Sequence, residues 1–177
     1  MSNDTMAKRK PSKKSPVEEP AFAYRSFNVT RGGRQKRYKL RTGYGYFIPS
    51  VKKAETLTQI REEVEAGITS KEIEPLIEFL DMKVSDIAKA ASVSPSTVAR
   101  WTADTSIGGP GSHQFFRIDE AIRKGVDLFG SPDELLIWLQ NPNLALGNQT
   151  PIKLLTSQIG LDLVDEALDA MHYGNVM

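Results

Sequence analysis

The sequence predicts an all-α body that follows a basic, partly disordered N-terminal arm. From Glu55 onward, apolar residues recur at three- and four-residue spacing, which is typical of helices that bury one face. Prolines and capping residues stand where such helices would begin, and no alternating stretch here is long enough for a dependable strand. A chain of 177 residues is long enough for a hydrophobic core, although the core need not fill it.

Charge separates the arm from the body. Residues 1–53 hold 14 Lys or Arg against 3 Asp or Glu, whereas residues 54–177 hold 9 against 19. We therefore assign residues 1–54 to a basic flexible arm, whose first part, MAKRKPSKKSPVEEP, lacks a periodic apolar face and is expected to be disordered. A basic segment on an acidic body indicates contact with nucleic acid, although a solvated tail has the same composition.

The second part of the arm interleaves aromatic residues with Arg and Lys. Aromatic rings stack on bases while cations meet phosphates, so the pattern is one that nucleic-acid-binding segments use. An irregular arm that packs on its own body or on a partner would show the same residues, and short β segments are only weakly signalled. The aromatic residues are Phe22, Tyr24, Phe27, Tyr38, Tyr44, Tyr46 and Phe47.

The first helices of the body follow directly after the arm. Residues 56–66 predict an amphipathic helix, with Gly67 at its end. Thr69 and Glu72 then form a capping box before an apolar stripe. Pro75 lies within that stripe, so the second helix is either kinked there or begins there.

Pairs of a capping residue and a proline punctuate the C-terminal half. Ser131 with Pro132 precedes LLIWL, and Thr150 with Pro151 precedes IKLL. The turn-rich stretch QNPNLALGNQ joins these two helices. Gly160 then separates a last amphipathic helix from the one before it.

The segment VSDIAKAASVSPSTVARW predicts a helix, a tight turn and a second helix. Ser94 caps the second helix, and the outward residues near its N-terminus lie where a recognition helix meets base edges. A plain helical hairpin would bury the same inward residues. The candidate DNA-binding residues are Lys89, Ser94, Ser96, Thr97 and Arg100.

This segment resembles the helix-turn-helix of the Xre family of prokaryotic regulators. It departs from the family at Ser92, where a turn glycine is usual, and at Lys83, where a capping Ser or Thr is usual. A left-handed Ser92 costs about 1 kcal/mol relative to glycine. Arg100 is the only cation on the reading helix, so phosphate contacts would come from Lys89, a second copy of the chain or the basic arm. DNA binding therefore implies a homodimer.

A second resemblance covers the C-terminal part of the chain. The stretch LFGSPDELLIWLQNPNLALGNQTPIKLL, followed by IGLDLVDEALDAMHYG, resembles the C-terminal toxin-binding domain of the Xre/MbcA/ParS antitoxins. Taken singly, most matching residues have a structural role in a core, a turn or a helix end, and it is their joint spacing that carries the resemblance. The matching residues are Phe129, Gly130, Trp138, Leu139, Asn141, Pro142, Asn143, Leu146, Gly147, Thr150, Pro151, Leu155, Gly160 and Gly174.

The resemblance implies an antitoxin, with a helical region containing the helix-turn-helix at residues 55–112 and a toxin-binding domain at residues 113–177. In this family the partner is a RES-domain toxin that degrades NAD, and the C-terminal end of the antitoxin enters the toxin's active site. The resemblance also implies binding to operator DNA and repression of the protein's own operon. The toxin-binding residues that it implies are His172, Tyr173, Gly174, Asn175, Val176 and Met177.

The residues favour a binding protein over an enzyme. The two histidines, His113 and His172, are far apart and lie in no metal-binding motif, and GGPGSH lacks the strand and lysine of a phosphate loop. We read GGPGSH as a flexible connection to a helix that starts near Ser112 or His113. Cysteine is absent, so no thiolate site is available, and no apolar run is long enough to span a membrane. We expect a cytoplasmic protein with no cofactor, metal or small-molecule substrate.

Two functions from different classes remain open. The first is the antitoxin, for which the acids Asp162, Asp165, Glu166 and Asp169 of the last helix would complement a basic toxin rim, although acids on a solvated helix are common. The second is a stand-alone helix-turn-helix transcription regulator whose C-terminal helices only dimerise. The second hypothesis predicts that no other protein copurifies with the chain.

Overall fold

The computed structural model describes residues 24–31, 34–41 and 47–174. The prediction of an all-α body is confirmed, because residues 47–174 consist of helices and the loops that join them. The helices are α1 (Pro49–Lys53), α2 (Leu57–Ala66), α3 (Ser70–Leu80), α4 (Val84–Ala90), α5 (Pro95–Val98), α6 (Gly108–Phe129), α7 (Pro132–Gln140), α8 (Pro151–Leu154) and α9 (Gln158–His172), with a 3₁₀ turn at Leu144–Leu146.

The arm contributes a two-stranded antiparallel hairpin, which the sequence signalled only weakly. Strand β1 (Tyr24–Arg31) pairs with β2 (Arg34–Arg41), and the register runs from Tyr24 opposite Arg41 to Arg31 opposite Arg34. The predicted disorder of the first part of the arm concerns residues outside those that the structure describes.

Side-chain caps start several helices where the sequence predicted them. At α7, the Ser131 hydroxyl accepts a hydrogen bond from the backbone N–H of Glu134 at 3.2 Å. At α3, the Glu72 carboxylate accepts from the backbone N–H of Thr69 at 3.0 Å and from its hydroxyl at 2.9 Å. Thr150 precedes α8 as predicted, but its side chain makes no capping hydrogen bond.

Pro75 lies inside α3, which therefore begins before the proline, at Ser70. The first turn of α3 is held from outside as well, because the backbone N–H groups of Ser70 and Lys71 donate to the carbonyls of Thr105 and Ala103 at 2.9 and 3.2 Å. The loop before α6 thus supplies acceptors to the start of α3, which leaves fewer unsatisfied N–H groups there.

Helix α6 is the central element, and it packs against α2, α4, α7 and α9. It begins at Gly108, so the expected flexible connection before Ser112 is instead its first turn. Two contacts explain this start. The buried Ser112 hydroxyl donates to the Gly108 carbonyl at 2.8 Å and accepts from the Ile68 N–H at 2.9 Å, and Gly111 lets the helix approach Ala91 closely. Since α6 spans residues 112 and 113, one helix serves both predicted modules.

The last helix, α9, packs on α6 and α8. Gly160 lies within its first turn, where its N–H donates to the hydroxyl of the capping residue Ser157 at 3.1 Å. A Cβ atom at this glycine would collide with the backbone carbonyl of Leu154. Gly160 is therefore needed because α8 and α9 meet there at close range, and it does not separate two helices as the sequence suggested.

Candidate functional site

The predicted DNA-binding residues lie together on α4, α5 and the residues that flank α5. The Ser94 hydroxyl accepts from the Thr97 N–H at 3.1 Å, and it lies 2.8 Å from the hydroxyls of both Ser96 and Thr97. Arg100 donates from Nε to the Ser96 carbonyl at 3.2 Å, so its guanidinium is held against its own helix. Lys89, Ser94, Ser96 and Arg100 are exposed, whereas Thr97 is half-buried.

The turn between α4 and α5 contains one residue with a left-handed backbone. Ser92 adopts φ 57°, which confirms the left-handed turn expected at this position. At the start of α4, Lys83 makes no side-chain cap, and Asp86 accepts from the Lys83 N–H at 3.4 Å in its place. Helix α5 is only four residues long, so the reading surface is a single helical turn.

A cleft of about 530 Å³ lies between α4, the first half of α6 and the start of α9. Its walls include Lys89 from α4, His113 and Arg117 from α6, and Gln158 from α9. The predicted DNA-binding residues therefore adjoin the beginning of α9. The predicted toxin-binding residues lie at the other end of this 15-residue helix, roughly 20 Å away at 1.5 Å per residue.

The predicted toxin-binding residues that the structure describes project at the end of α9. His172, Tyr173 and Gly174 are all exposed, and 74% of the Tyr173 surface is accessible. The two rings of His172 and Tyr173 meet edge to face, with centroids 5.1 Å apart. Gly174 has φ 70°, which ends the helix in a left-handed turn. Asn175, Val176 and Met177 lie outside the described residues.

The acids of α9 are largely engaged within the protein. Asp162 pairs with Arg117 of α6 at 2.8 Å. Asp165 and Asp169 both pair with Lys124 of α6, at 2.6 and 2.9 Å. Three of the four acids that were expected to face a toxin therefore attach α9 to α6, because the opposing face of α6 is cationic. Glu166 remains exposed on the helix surface.

The double ion pair of Lys124 changes its proton affinity. Burial alone lowers the pKa of Lys124, but the hydrogen bonds and negative charges of Asp165 and Asp169 outweigh burial and raise the pKa above 10.5. A lysine with a raised pKa stabilises the fold at pH values below its ordinary pKa, and this contribution is lost as the pH rises through the folded value. The attachment of α9 to α6 therefore persists at neutral pH.

An apolar surface on α9 was missed by reasoning from sequence. Ile159 is 77% exposed and Leu163 is 42% exposed, and both lie on the side of the helix away from the buried Leu161 and Val164. Large exposed apolar side chains that share a helix face often mark a protein interface. The spacing of Ile159 and Leu163 was the available signal, but the stronger buried stripe concealed it.

The buried carboxylate of Asp119 was also missed. Asp119 is inaccessible to solvent and accepts hydrogen bonds from the backbone N–H groups of Phe47 at 3.0 Å and Ile48 at 3.1 Å. Burial lowers the pKa of Lys52, and the charge of Asp119 offsets part of that effect. This carboxylate fixes residues 47–53, which the sequence assigned to the flexible arm, in the core.

The described residues offer no catalytic metal site. Among residues 24–31, 34–41 and 47–174, no group of three or more His, Asp or Glu side chains could hold a metal ion. His113 lies on α6 and His172 at the end of α9, and both are exposed. No helix in this part of the chain is long and apolar enough to cross a membrane.

Comparison with known proteins identifies the C-terminal part of the chain. Residues 124–174 match the model of the antitoxin Xre/MbcA/ParS C-terminal toxin-binding domain, which confirms the predicted resemblance over that range. A chain from the crystal structure of the M. tuberculosis MbcT-MbcA toxin-antitoxin complex aligns over 57% of this protein and 90% of its own length, at 22% identity and a TM-score of 0.41. No curated protein matches the chain significantly.

Proposed function

Because residues 124–174 carry the toxin-binding domain of the Xre/MbcA/ParS antitoxins, we propose that this protein neutralises a RES-domain toxin that degrades NAD. The match over those residues is the observation that carries the proposal. We propose a cytoplasmic inhibitor without catalytic activity.

The apolar face of α9 is proposed to dock the toxin, and the end of α9 to block its active site. Ile159 and Leu163 supply exposed apolar surface for docking. Residues 172–177 then enter the catalytic cleft, where a segment tethered to a docked domain has a high effective concentration. The ion pairs of Lys124 support this arrangement, because they hold the final turns of α9 against α6.

Deleting residues 173–177 tests the block. The variant is co-expressed with the proposed partner, a RES-domain toxin, and intracellular NAD and copurification of the toxin are measured. We expect the complex to persist, because the α9 face is intact, while NAD falls as if the antitoxin were absent. Full protection of NAD by the shortened chain would overturn the block.

Charged substitutions on α9 test the docking face separately. Ile159→Asp with Leu163→Asp is expected to abolish copurification of the toxin, because two carboxylates would be buried without partners. Leu57→Asp is the matched control, since Leu57 is 66% exposed on α2 and is equally apolar. Copurification that survives the double substitution would place the toxin elsewhere. If no toxin copurifies even with the unaltered chain, the stand-alone regulator becomes the better hypothesis.

Repression of its own operon is the second proposed role. A homodimer would present Lys89, Ser94, Ser96, Thr97 and Arg100 of both copies to operator DNA. The exposed hydroxyls and the anchored guanidinium are suited to contacts with base edges. Two copies are required because a single reading turn with one arginine supplies little attraction for phosphate.

Arg100→Ala is expected to weaken operator binding by about 1 to 3 kcal/mol, which is typical for loss of an arginine that contacts a base. The measurement is fluorescence anisotropy with the promoter DNA of the protein's own operon. Arg61→Ala on α2 is the matched control, because Arg61 is also exposed and pairs with its helix neighbour Glu65. Equal affinity of the two variants would remove Arg100 from the interface.

A further inference from the structure

The β1–β2 hairpin concentrates positive charge that neither proposed role uses. Residues 24–41 contain seven cations, which are Arg25, Arg31, Arg34, Lys36, Arg37, Lys39 and Arg41, and no Asp or Glu. Arg31 lies directly opposite Arg34 in the register. Like charges placed opposite each other destabilise a strand pair. Binding of an anionic partner would relieve this repulsion.

The register sorts the residues of the hairpin into two different faces. Alternate residues of a strand share a face, and directly paired residues share it too. One face has polar or cationic residues at all positions but one, and we call it the polar face. It holds Tyr24, Ser26, Asn28, Thr30, Gln35, Arg37, Lys39 and Arg41. Gln35 and Arg37 are exposed.

The opposite face has a different character. It pairs Phe27 with Tyr38, Val29 with Lys36, Leu40 with Arg25 and Arg31 with Arg34, so it carries four cations beside four apolar or aromatic residues. The polar face carries only three cations, but it also holds Ser26, Asn28, Thr30 and Gln35, whose side chains pair with base edges. The polar face is therefore the better match to a duplex that is read through its bases.

We propose that the polar face of the hairpin binds duplex DNA in its major groove. Arg and Lys pair with guanine edges, Asn and Gln pair with adenine, and Ser and Thr accept either base, so the face holds every side-chain type of the usual base contacts except acids. The major groove also admits a two-stranded β-ribbon. This binding is separate from that of the helix-turn-helix and does not depend on it.

The polar face carries three evenly spaced cations. Arg37, Lys39 and Arg41 follow one another at every second position of β2, about 7 Å apart at about 3.4 Å per strand residue. Positive charge at these positions favours binding to a duplex, whose backbone carries a negative charge at every phosphate.

Two triple variants of the full-length protein test the face. One changes Arg37→Ala, Lys39→Ala and Arg41→Ala on the polar face. The matched control changes Arg25→Ala, Arg34→Ala and Lys36→Ala on the opposite face, and so removes the same charge from the same hairpin. Both are made with and without Arg100→Ala, and fluorescence anisotropy with a short labelled duplex is recorded over a series of salt concentrations. Circular dichroism checks that the helical body is unchanged.

The polar-face variant is expected to lose on the order of 100-fold in affinity at about 0.1 M salt, and the salt slope is expected to fall by about 2 to 3. The control variant is expected to stay within about tenfold of the unaltered chain, since charges that make no phosphate contact release no counterions. Both results should hold with Arg100→Ala present, so failure of the helix-turn-helix proposal leaves them intact. Equal losses in the two triple variants would overturn the assignment of the polar face.

Competitors test the ligand and the groove. Methyl green, which occupies the major groove, should displace the protein, whereas netropsin, which occupies the minor groove, should not. The reverse pattern would overturn the major-groove assignment. Tighter binding to single-stranded RNA or to vesicles of anionic lipid than to duplex DNA, with the same dependence on Arg37, Lys39 and Arg41, would overturn the choice of duplex DNA as the partner.

Discussion

A left-handed serine closes the turn between α4 and α5. Ser92 has φ 57° and an exposed side chain, so no buried contact compensates for its unfavourable backbone. Glycine adopts this conformation without the clash that a Cβ atom introduces. Ser92 therefore lowers the free energy of unfolding relative to glycine at the same position.

Replacing Ser92 with glycine should raise the free energy of unfolding by about 1 kcal/mol. Urea denaturation followed by circular dichroism measures the change. Ser96→Gly is the control within the same motif, and it should lower stability by a similar amount because Ser96 lies inside α5. A Ser92→Gly variant that is less stable than the unaltered chain would contradict the strain.

At Gly160 a larger residue is excluded by lack of space, and not by the backbone conformation as at Ser92. Gly160→Ala should lower the free energy of unfolding by about 1 to 3 kcal/mol, since the added methyl group meets the Leu154 carbonyl. Gly109→Ala is the matched control, because a Cβ atom at Gly109 meets nothing within 4 Å. The control should be neutral or stabilising in the same thermal melts, and a stable Gly160→Ala variant would show that α8 and α9 can separate.

At the scale of elements, the start of α3 depends on one carboxylate. Burial raises the pKa of Glu72, but hydrogen bonds from Thr69 and Ser50 outweigh burial and hold the pKa below 4.5. A carboxylate with a lowered pKa contributes stability above its unfolded pKa. That contribution is lost as the pH falls through the folded value.

Glu72→Ala should therefore cost about 1 kcal/mol at neutral pH, as is usual for the loss of a helix cap. The difference from the unaltered chain should shrink below pH 4.5 and vanish once Glu72 is protonated in the folded state. Urea titrations at several pH values measure both effects. Glu62→Ala on α2 gives the background for an exposed acid. If the difference in free energy of unfolding between Glu72→Ala and the unaltered chain stays constant with pH, the ionised carboxylate is not its source.

Local sequence signals predicted some elements well and others poorly. The start of α7 at Ser131 and the left-handed turn at Ser92 follow from residues close in sequence, and both are confirmed. The start of α6 was misjudged, because three glycines and a proline normally oppose a helix. Its first turn is fixed by Ala91 and Ile68, which are distant in sequence, and a single sequence does not reveal such contacts.

At the scale of the whole molecule, Asp119 links the end of the arm to the body. Its carboxylate on α6 holds the backbone of Phe47 and Ile48, and Phe47 in turn packs on Phe79 with ring centroids 4.9 Å apart. This link could not be predicted from the sequence, since one aspartate in an amphipathic helix has the same pattern as any solvated acid. The family spacing predicted that α9 carries the candidate site. The exposed apolar face of α9 was not predicted, because the buried stripe of the same helix is the stronger pattern.

Asp119→Ala should lower the free energy of unfolding by about 2 to 5 kcal/mol, because it leaves buried backbone N–H groups without an acceptor. Chemical denaturation measures the loss, and limited proteolysis should show new cleavage near residues 47–55. Asp104→Ala, at an exposed loop position, should stay within about 0.5 kcal/mol of the unaltered chain. Unchanged resistance to protease near residue 47 would mean that the core retains this segment without Asp119.

The long central helix, α6, contacts both of the regions for which a binding role is proposed. The first turn of α6 contacts Ala91 at the end of α4, and its later turns carry Arg117 and Lys124, which pair with acids of α9. Suppose that the proposed partners, operator DNA and toxin, each favour a slightly different tilt of α6. Binding of either partner must then change the affinity of the protein for the other by the same factor. Transcription of the operon would then depend on how much toxin is already bound to the antitoxin.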